Sequence, residues 1–262
     1  MPELPDVELF KRTFDRVAAG RRIRHARVPR TRVLKKSPST IREALTGRRI
    51  AGSRRHGKHL LAQLKGGRWL ALHFGMTGFL HHYREDDEAP AHERLRLDLD
   101  DEWRLGYSCQ RLLGAVDLAD GPESFVADRG LGPDALVIGA DEFVQRLAER
   151  SGALKSTLMN QEVLAGLGNV YTDEALFQAK LHPGSRVNRL EGERLRRLHR
   201  TMQRILKRAI QGRTDPRRMP QTWLLHHREP GRPCPRCKGQ VKAITVGGRR
   251  GYHCPSCQSR PD

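Results

Sequence analysis

Reactive residue types gather at the two ends of this 262-residue chain. At the start stand Pro2 and Glu3. Methionine before proline is normally removed in the cell, and its loss leaves Pro2 with a free secondary amine. Free α-amines titrate near about 8, so a neutral, nucleophilic fraction exists at physiological pH. Such an amine adds to an electrophilic carbon and gives an iminium, a Schiff base. Glu3 beside it is a candidate for the general acid or base that this step needs. The plainer alternative is that PELP is an extended lead-in to a helix.

At the other end, Cys234, Cys237, Cys254 and Cys257 follow the pattern C-x2-C-x16-C-x2-C. Two such knuckles can place four thiolates around one Zn²⁺, and two disulfides are the alternative. A four-thiolate site leaves no open coordination position, so that zinc is structural. Cys109 stands far away in sequence and reads as an inert buried thiol.

The charge balance points to a class of partner. Lys and Arg number 49 against 30 Asp and Glu, a net charge of +19. An Arg-rich excess of this size favours a polyanion, nucleic acid first and an anionic membrane surface second. No apolar run approaches the ~20 residues of a membrane span. The opening MPELPDVELF is charged where a secretory signal needs an apolar core.

The elements that must carry these residues follow from periodicity. Val7, Phe10, Phe14 and Val17 predict a helix over 5–20, with Pro5 in its first turn and Gly20 at its end. From about 22 to 120 the pattern alternates. HLLAQL and WLALHF read as a hairpin across Lys65-Gly66-Gly67-Arg68, and RLRLDLD turns through Asp101-Glu102 into WRLGY. The stretch reads as an antiparallel β-sandwich. Near 135 the period becomes helical. DEFVQRLAER is a short helix with Asp141 as cap, and 155–165 and 169–180 are two more, joined by Gly166-Leu167-Gly168. Asn188-x-x-Glu191 resembles a capping box. It opens a long helix striped by Leu195, Leu198, Met202, Ile205 and Leu206 and ending at Gly212. Residues 213–233 hold four prolines and read as a linker.

Several stretches together carry a resemblance: PELPDVE at the start, HGKHLL at 56–61, HFGMTG at 73–78, LMNQ with AGLGNVYTDEALFQAKLHP over 158–183, and the four-cysteine tail. In this order, over nearly the whole chain, they resemble the formamidopyrimidine-DNA glycosylase/endonuclease VIII family. The resemblance implies an α+β multidomain fold. An N-terminal helix plus antiparallel β-sandwich would form a catalytic domain over 1–130. A helix–two-turn–helix DNA-binding domain would span 131–228, and a zinc finger of ribbon type 229–262. It implies a base-excision-repair enzyme, both DNA glycosylase and AP lyase, that flips an oxidised base, cleaves its glycosidic bond and nicks the strand by β,δ-elimination. The partner would be double-stranded DNA with damaged bases or abasic sites. The protein would be a monomer with no membrane attachment, in the cytoplasm of a bacterial-type cell, carrying one structural Zn²⁺.

Carried over by motif, Pro2 is the nucleophile at C1′ and Glu3 the acid that protonates the opening sugar. Lys58 assists β-elimination. Arg249 grips the phosphate beside the flipped nucleotide and assists δ-elimination, with Arg250 as the neighbour able to take its place. Lys155 and Asn169 match residues that bind the same phosphate region, where the glycines of GLGN suit backbone N–H donation to a phosphate at a helix start. Met76, Arg111 and Leu113 match a trio that fills the void left by the flipped base. His92 and Arg150 match further DNA-contact positions.

Departures from the pattern bear on the substrate. PELPDVE stands for PELPEVE, Gln110-Arg111-Leu112-Leu113-Gly114 for a QRRFG-like sequence, and LMNQ for LMDQ; Leu113 replaces an aromatic wedge. The segment between Gly212 and Cys234 is shorter than in the formamidopyrimidine branch, where a loop there closes over 8-oxoguanine. The endonuclease VIII branch begins PEGPE, which Leu4 contradicts. The expectation is a broad enzyme, weak on 8-oxoguanine. Endonuclease VIII-like specificity for oxidised pyrimidines, a non-catalytic damaged-DNA-binding paralogue and a zinc-ribbon RNA-binding protein are the alternatives.

Overall fold

Helix α1 (Leu4–Ala18) forms where the apolar spacing places it, with Val7, Phe10, Phe14 and Val17 all buried. Lys11 pairs with Asp15 at 2.7 Å across one turn of its outer face. The computed structural model describes residues 1–259. The chain forms two compact units, one of residues 1–2 with 6–130, the other of residues 3–5 with the chain from 131 onward.

In the first unit, β1 (Ile23–Arg27) leads into α2 (Pro38–Leu45), a helix inside the stretch expected to be β throughout. Its origin is local. Ser37 Oγ accepts from Thr40 N at 3.1 Å, and Pro38 supplies a first turn with its φ already set. Seven strands follow: β2 (Ile50–His56), β3 (His59–Leu64), β4 (Trp69–His73), β5 (Gly78–Arg84), β6 (Glu93–Leu99), β7 (Trp103–Cys109) and β8 (Ala115–Ala119). They form two antiparallel sheets ordered β1-β6-β7-β5 and β2-β3-β4-β8. Both sheets and α1 contribute to one core that includes Phe14, Leu60, Leu70, Leu97 and Tyr107. Each such side chain stabilises the fold by roughly 1.5–3 kcal/mol on leaving water. Cys109 is fully buried in that core. A short α3 (Pro122–Asp128) ends the unit.

The second unit holds α4 (Ala140–Ala148), α5 (Leu154–Met159), α6 (Asn169–Ala179), α7 (Gly192–Gln211) and a hairpin of β9 (Lys242–Val246) and β10 (Arg249–His253). Three local expectations change. First, α5 stops at Met159 because side-chain hydrogen bonds offer the backbone another conformation. Asn160 Oδ1 accepts from Glu162 N at 3.0 Å. Gln161 donates to the carbonyls of Met159 and Leu167 and accepts from Gly166 N. Second, neither cap forms as read. Asp141 lies in the first turn of α4, and Asn188 falls in a separate 3-10 turn before α7. Third, residues 213–233 are not a loose linker. They make two 3-10 turns, Pro216–Arg218 and Leu224–His227, and bury Met219, Trp223 and Leu224. Among the described residues, no helix is long and apolar enough to cross a membrane.

Candidate active site and nucleic-acid interface

Glu3 is 1% exposed, and its carboxylate caps α6. Oε1 accepts from Val170 N at 2.8 Å; Oε2 accepts from Gly168 N at 2.8 Å and Tyr171 N at 3.3 Å. The leading N–H groups of a helix lack intrahelical partners and carry partial positive charge, which suits a carboxylate. Leu4 N adds a bond to Gly166 O at 3.2 Å. Gly168 has a φ of −118°, open to any residue, but a Cβ there would overlap the Glu3 carboxyl carbon. Of the N–H groups of the GLGN turn, expected to meet a phosphate, Gly168 N is thus occupied by Glu3 and Gly166 N by Gln161 Oε1. Pro2, half-buried, is one peptide bond from this fixed carboxylate.

In the first unit, Lys58 occupies the two-residue turn between β2 and β3, after Gly57 at φ +55°. Arg55 braces the turn. Its Nη1 donates to Gly57 O and its Nε to Glu8 of α1, each at 3.1 Å. Behind the turn the rings of His59 and His73 lie 4.8 Å apart. Burial first, then the positive Lys58, holds His73 down at about 4. Burial first, then His73, holds His59 at about 3. Both rings are neutral at physiological pH and add no charge beside Lys58.

The β9–β10 hairpin turns on Gly247 and Gly248, with φ +57° and +71°, the double positive φ that a tight hairpin favours. Two exposed arginines begin β10, and their surroundings differ. The Arg250 carbonyl accepts from Asn169 Nδ2 at 2.9 Å, and its guanidinium lies 5.7 Å from the Tyr252 ring. The Arg249 side chain has no hydrogen bond or ion pair among the described residues.

Lys155 stands elsewhere than expected. It is fully buried, its ammonium 2.7 Å from Asp173 Oδ1. Asp173, also fully buried, accepts through Oδ2 from Arg228 Nη1 at 2.8 Å and from Tyr252 N at 3.0 Å. Burial lowers the Lys155 pKa and the Asp173 carboxylate opposes that shift. A lysine with no accessible surface offers no contact to a phosphate, so the expected direct role does not fit this burial. Its place is under β10, where a Cβ on Gly251 would overlap its ammonium.

Met76, Arg111 and Leu113 lie on two adjoining loops of the first unit. Met76 is 40% exposed in the β4–β5 turn and Leu113 49% exposed between β7 and β8. Arg111 N donates to Thr77 Oγ1 at 3.0 Å. Gly75, at φ +57°, leaves no room for a Cβ against the Leu113 carbonyl. Exposed His92, at φ +60°, accepts through its carbonyl from Cys109 N at 3.0 Å, at the base of the same loop. Arg150 is exposed just after α4.

The sulfurs of Cys234, Cys237, Cys254 and Cys257 all lie within 4.8 Å of one another, unlinked by disulfides. Cys234–Cys257 and Cys237–Cys254 are 3.8 and 3.6 Å apart. Four sulfurs at 2.3 Å from a tetrahedral zinc stand about 3.8 Å apart, so this donor set fits. Arg236 N and Gly239 N donate to Cys234 and Cys237, and the latter bond chiefly holds the Cys237 thiol down at about 7. The knuckles rest on α6, where Arg236 lies 4.5 Å over Phe177 and donates to its carbonyl.

Sequence reasoning missed Asp173, Arg228, Gly168 and Gly251. One signal was available: TDE falls between apolar residues of a helix, and carboxylates are rarely buried unless paired.

Two family models match the chain: the formamidopyrimidine-DNA glycosylase N-terminal domain over 1–116 and the formamidopyrimidine-DNA glycosylase H2TH domain over 130–218. The formamidopyrimidine-DNA glycosylase of Gluconobacter oxydans is 35% identical, over 98% of this chain and 100% of that protein. That of Chloroflexus aurantiacus is 32% identical, over 98% of each. A Lactococcus lactis FPG mutant solved with a Fapy-dG containing DNA superposes with a TM-score of 0.90 at 27% identity, covering 99% of this chain and 100% of that one. The Lactococcus lactis Fpg solved with an abasic site containing DNA gives 0.89 at 26%, with the same coverage.

Proposed function

The chain belongs to the formamidopyrimidine-DNA glycosylase family, and from that membership we propose that it excises oxidised bases from duplex DNA and cuts the abasic site that results. Pro2, freed of Met1, attacks C1′ with its nitrogen lone pair. The glycosidic bond breaks, and the base leaves with the bonding electrons and takes up a proton. Pro2 nitrogen, after losing its own proton, holds C1′ by a single bond until the C1′–O4′ bond breaks and the nitrogen lone pair forms the iminium. Glu3 serves the sugar oxygen as the ring opens. Loss of a C2′ proton with the 3′ phosphate, then of the C4′ proton with the 5′ phosphate, completes the nick, with Lys58 assisting the first elimination and Arg249 the second. Water hydrolyses the iminium to free Pro2.

The observation that carries this reading is the Glu3 carboxylate held against the first turn of α6. An ordinary leader has no use for a buried carboxyl group at residue 3, and a reaction at residue 2 needs an acid–base group beside it. Arg249, with its unpaired guanidinium, is the better phosphate ligand of the two hairpin arginines, and Asn169 fixes the backbone beside it. Met76, Arg111 and Leu113 form the void-filling set, and His92 and Arg150 make outer DNA contacts. Lys155 is a positioning residue that supports β10 from below. The four cysteines hold one structural Zn²⁺, which supplies no chemistry at the sugar. We place the enzyme, as a monomer, on DNA in the cytoplasm of a bacterial cell.

The substrate proposal rests on the segment after α7. Its buried Met219, Trp223 and Leu224, and the bond from Leu225 N to Glu174 Oε2 at 2.9 Å, tie it down. A tied segment does not fold over a flipped purine. Activity is therefore strong on abasic sites, present on ring-opened purines and oxidised pyrimidines, and weak on 8-oxoguanine.

Borohydride trapping on an abasic-site duplex tests the reaction. Protein verified by mass to begin at Pro2 gives a covalent adduct mapped to that residue. Equal trapping by protein that retains Met1 would remove Pro2 from the mechanism and leave Lys58 as the amine. Single-turnover excision on matched duplexes tests the substrate, and faster release of 8-oxoguanine than of formamidopyrimidines would overturn that proposal.

A further inference from the structure

A cavity of about 600 Å³ forms a groove along α7, built wholly within the second unit. Its apolar lining is the half-buried Pro220, together with Ile205 of α7 and Trp223, both of which the fold itself already covers almost completely. Its rim is cationic. Arg200, Arg204, Lys207 and Arg208 recur at helical spacing along one edge, and no carboxylate lines the groove. Two of the four cations are engaged locally, Arg200 with Glu193 at 2.9 Å and Arg208 with the Arg218 carbonyl at 3.4 Å. The side chains of Arg204 and Lys207 have no hydrogen-bond or ion-pair partner among the described residues.

This groove is separate from the proposed reaction site. Gln178, which lines it, is nine residues along α6 from Asn169, about 13 Å at 1.5 Å per residue. It therefore lies toward the end of α6 opposite the one capped by Glu3.

We propose that the groove docks a short acidic peptide segment of a partner protein, anchored by one large apolar side chain. Charge complementarity selects the sign: two unpaired cations beside two more attract carboxylates. The floor selects peptide over a second stretch of DNA. A phosphodiester backbone gains nothing from an apolar lining, whereas a Phe or Leu side chain sheds water against it. Length sets the size. Residues 200 to 211 span about 16 Å of α7, which an extended segment of about five residues covers at 3.3 Å each. The cavity volume falls in the usual range for a site that encloses one ligand group, about 300–1,000 Å³.

The test uses the full-length, zinc-loaded protein and a fluorescein-labelled hexapeptide, Glu-Asp-Glu-Phe-Glu-Asp, read by anisotropy. Binding with a Kd below about 1 mM is expected. It should weaken at least about tenfold when the peptide's acids become Gln and Asn, and by a similar factor when its Phe becomes Ala. The Arg204→Glu/Lys207→Glu double variant should lose the peptide while cleaving abasic-site DNA at the parent rate. Since α7 could be disturbed, Arg204→Gln/Lys207→Gln provides a milder second variant with an intermediate affinity. No binding to the parent, undiminished binding to both double variants, or indifference to the Phe would overturn the proposal. So would a double variant that keeps the peptide but loses affinity for undamaged duplex, which would assign the groove to DNA.

Discussion

The ammonium of Lys155 lies 2.7 Å from the carboxylate of Asp173, and neither side chain has any contact with solvent. The pair is asymmetric. Asp173 keeps Arg228 and Tyr252 N if Lys155 is lost, whereas Lys155 without Asp173 is an unpaired buried charge. Asp173→Ala should therefore cost about 3–5 kcal/mol, the usual penalty for breaking a buried pair from one side. Lys155→Met should cost clearly less. Urea unfolding midpoints would show it, and equal losses would refute the asymmetry.

Gly168→Ala should damage base excision without unfolding the protein. The added Cβ overlaps the Glu3 carboxyl carbon, so the capping carboxylate must move. Displacement of a catalytic group by about 1 Å costs on the order of 100-fold. Cleavage of a pre-formed abasic site should suffer less, because no base remains to be removed. A variant with parental excision rates would separate Glu3's position from its action.

Glu174 gives a pH dependence with a definite sign. Burial raises its pKa from 4.5 to about 7, against the bonds donated by Gln178 and Leu225 N. The folded protein thus holds a proton that the unfolded chain has lost, and Glu174 makes the protein less stable as pH rises from 4.5 to 7. Glu174→Gln carries a constant cost for facing two donors with one acceptor. Its stability relative to the parent should nevertheless improve between pH 5 and pH 8, by up to about 3 kcal/mol. A flat difference across that range, from urea titrations, would show that the carboxyl ionises normally.

Zinc removal should act locally. One equivalent of metal per chain is expected, and its chelation should release the knuckles that hold β9 and β10. Affinity for abasic-site DNA should collapse while near-ultraviolet signals from Trp69 and Trp103 in the first unit persist. Metal analysis showing no zinc, or unchanged affinity after verified chelation, would contradict this.

Elements that announce themselves by period were legible in the sequence. The stripe of α1, the alternating strands and the paired CxxC knuckles all depend on spacing within a few residues. What stayed hidden depends on distant partners. Asp173 looks like any helical acid until Lys155 and Arg228 are placed against it. Gly168 looks like a turn glycine until a carboxylate from residue 3 fills the space where its Cβ would be. The packed segment at 213–233 misled for a related reason: prolines signal that a regular element ends, but they do not reveal whether Met219 and Trp223 find a surface to cover. The capping box at Asn188 failed because an intervening 3-10 turn separated the motif from α7.

The bond between Glu3 and Gly168 spans 165 positions of chain. At a synthesis rate of about 5–20 residues per second, its donor emerges roughly 8–33 s after its acceptor. Through that interval the leading residues have no α6 to settle against, although the helix they begin is already complete. The proposed amine is therefore among the first groups made and among the last to be locked in place. Trimming of Met1, which the proposed chemistry requires, would act on this end while it is still loose.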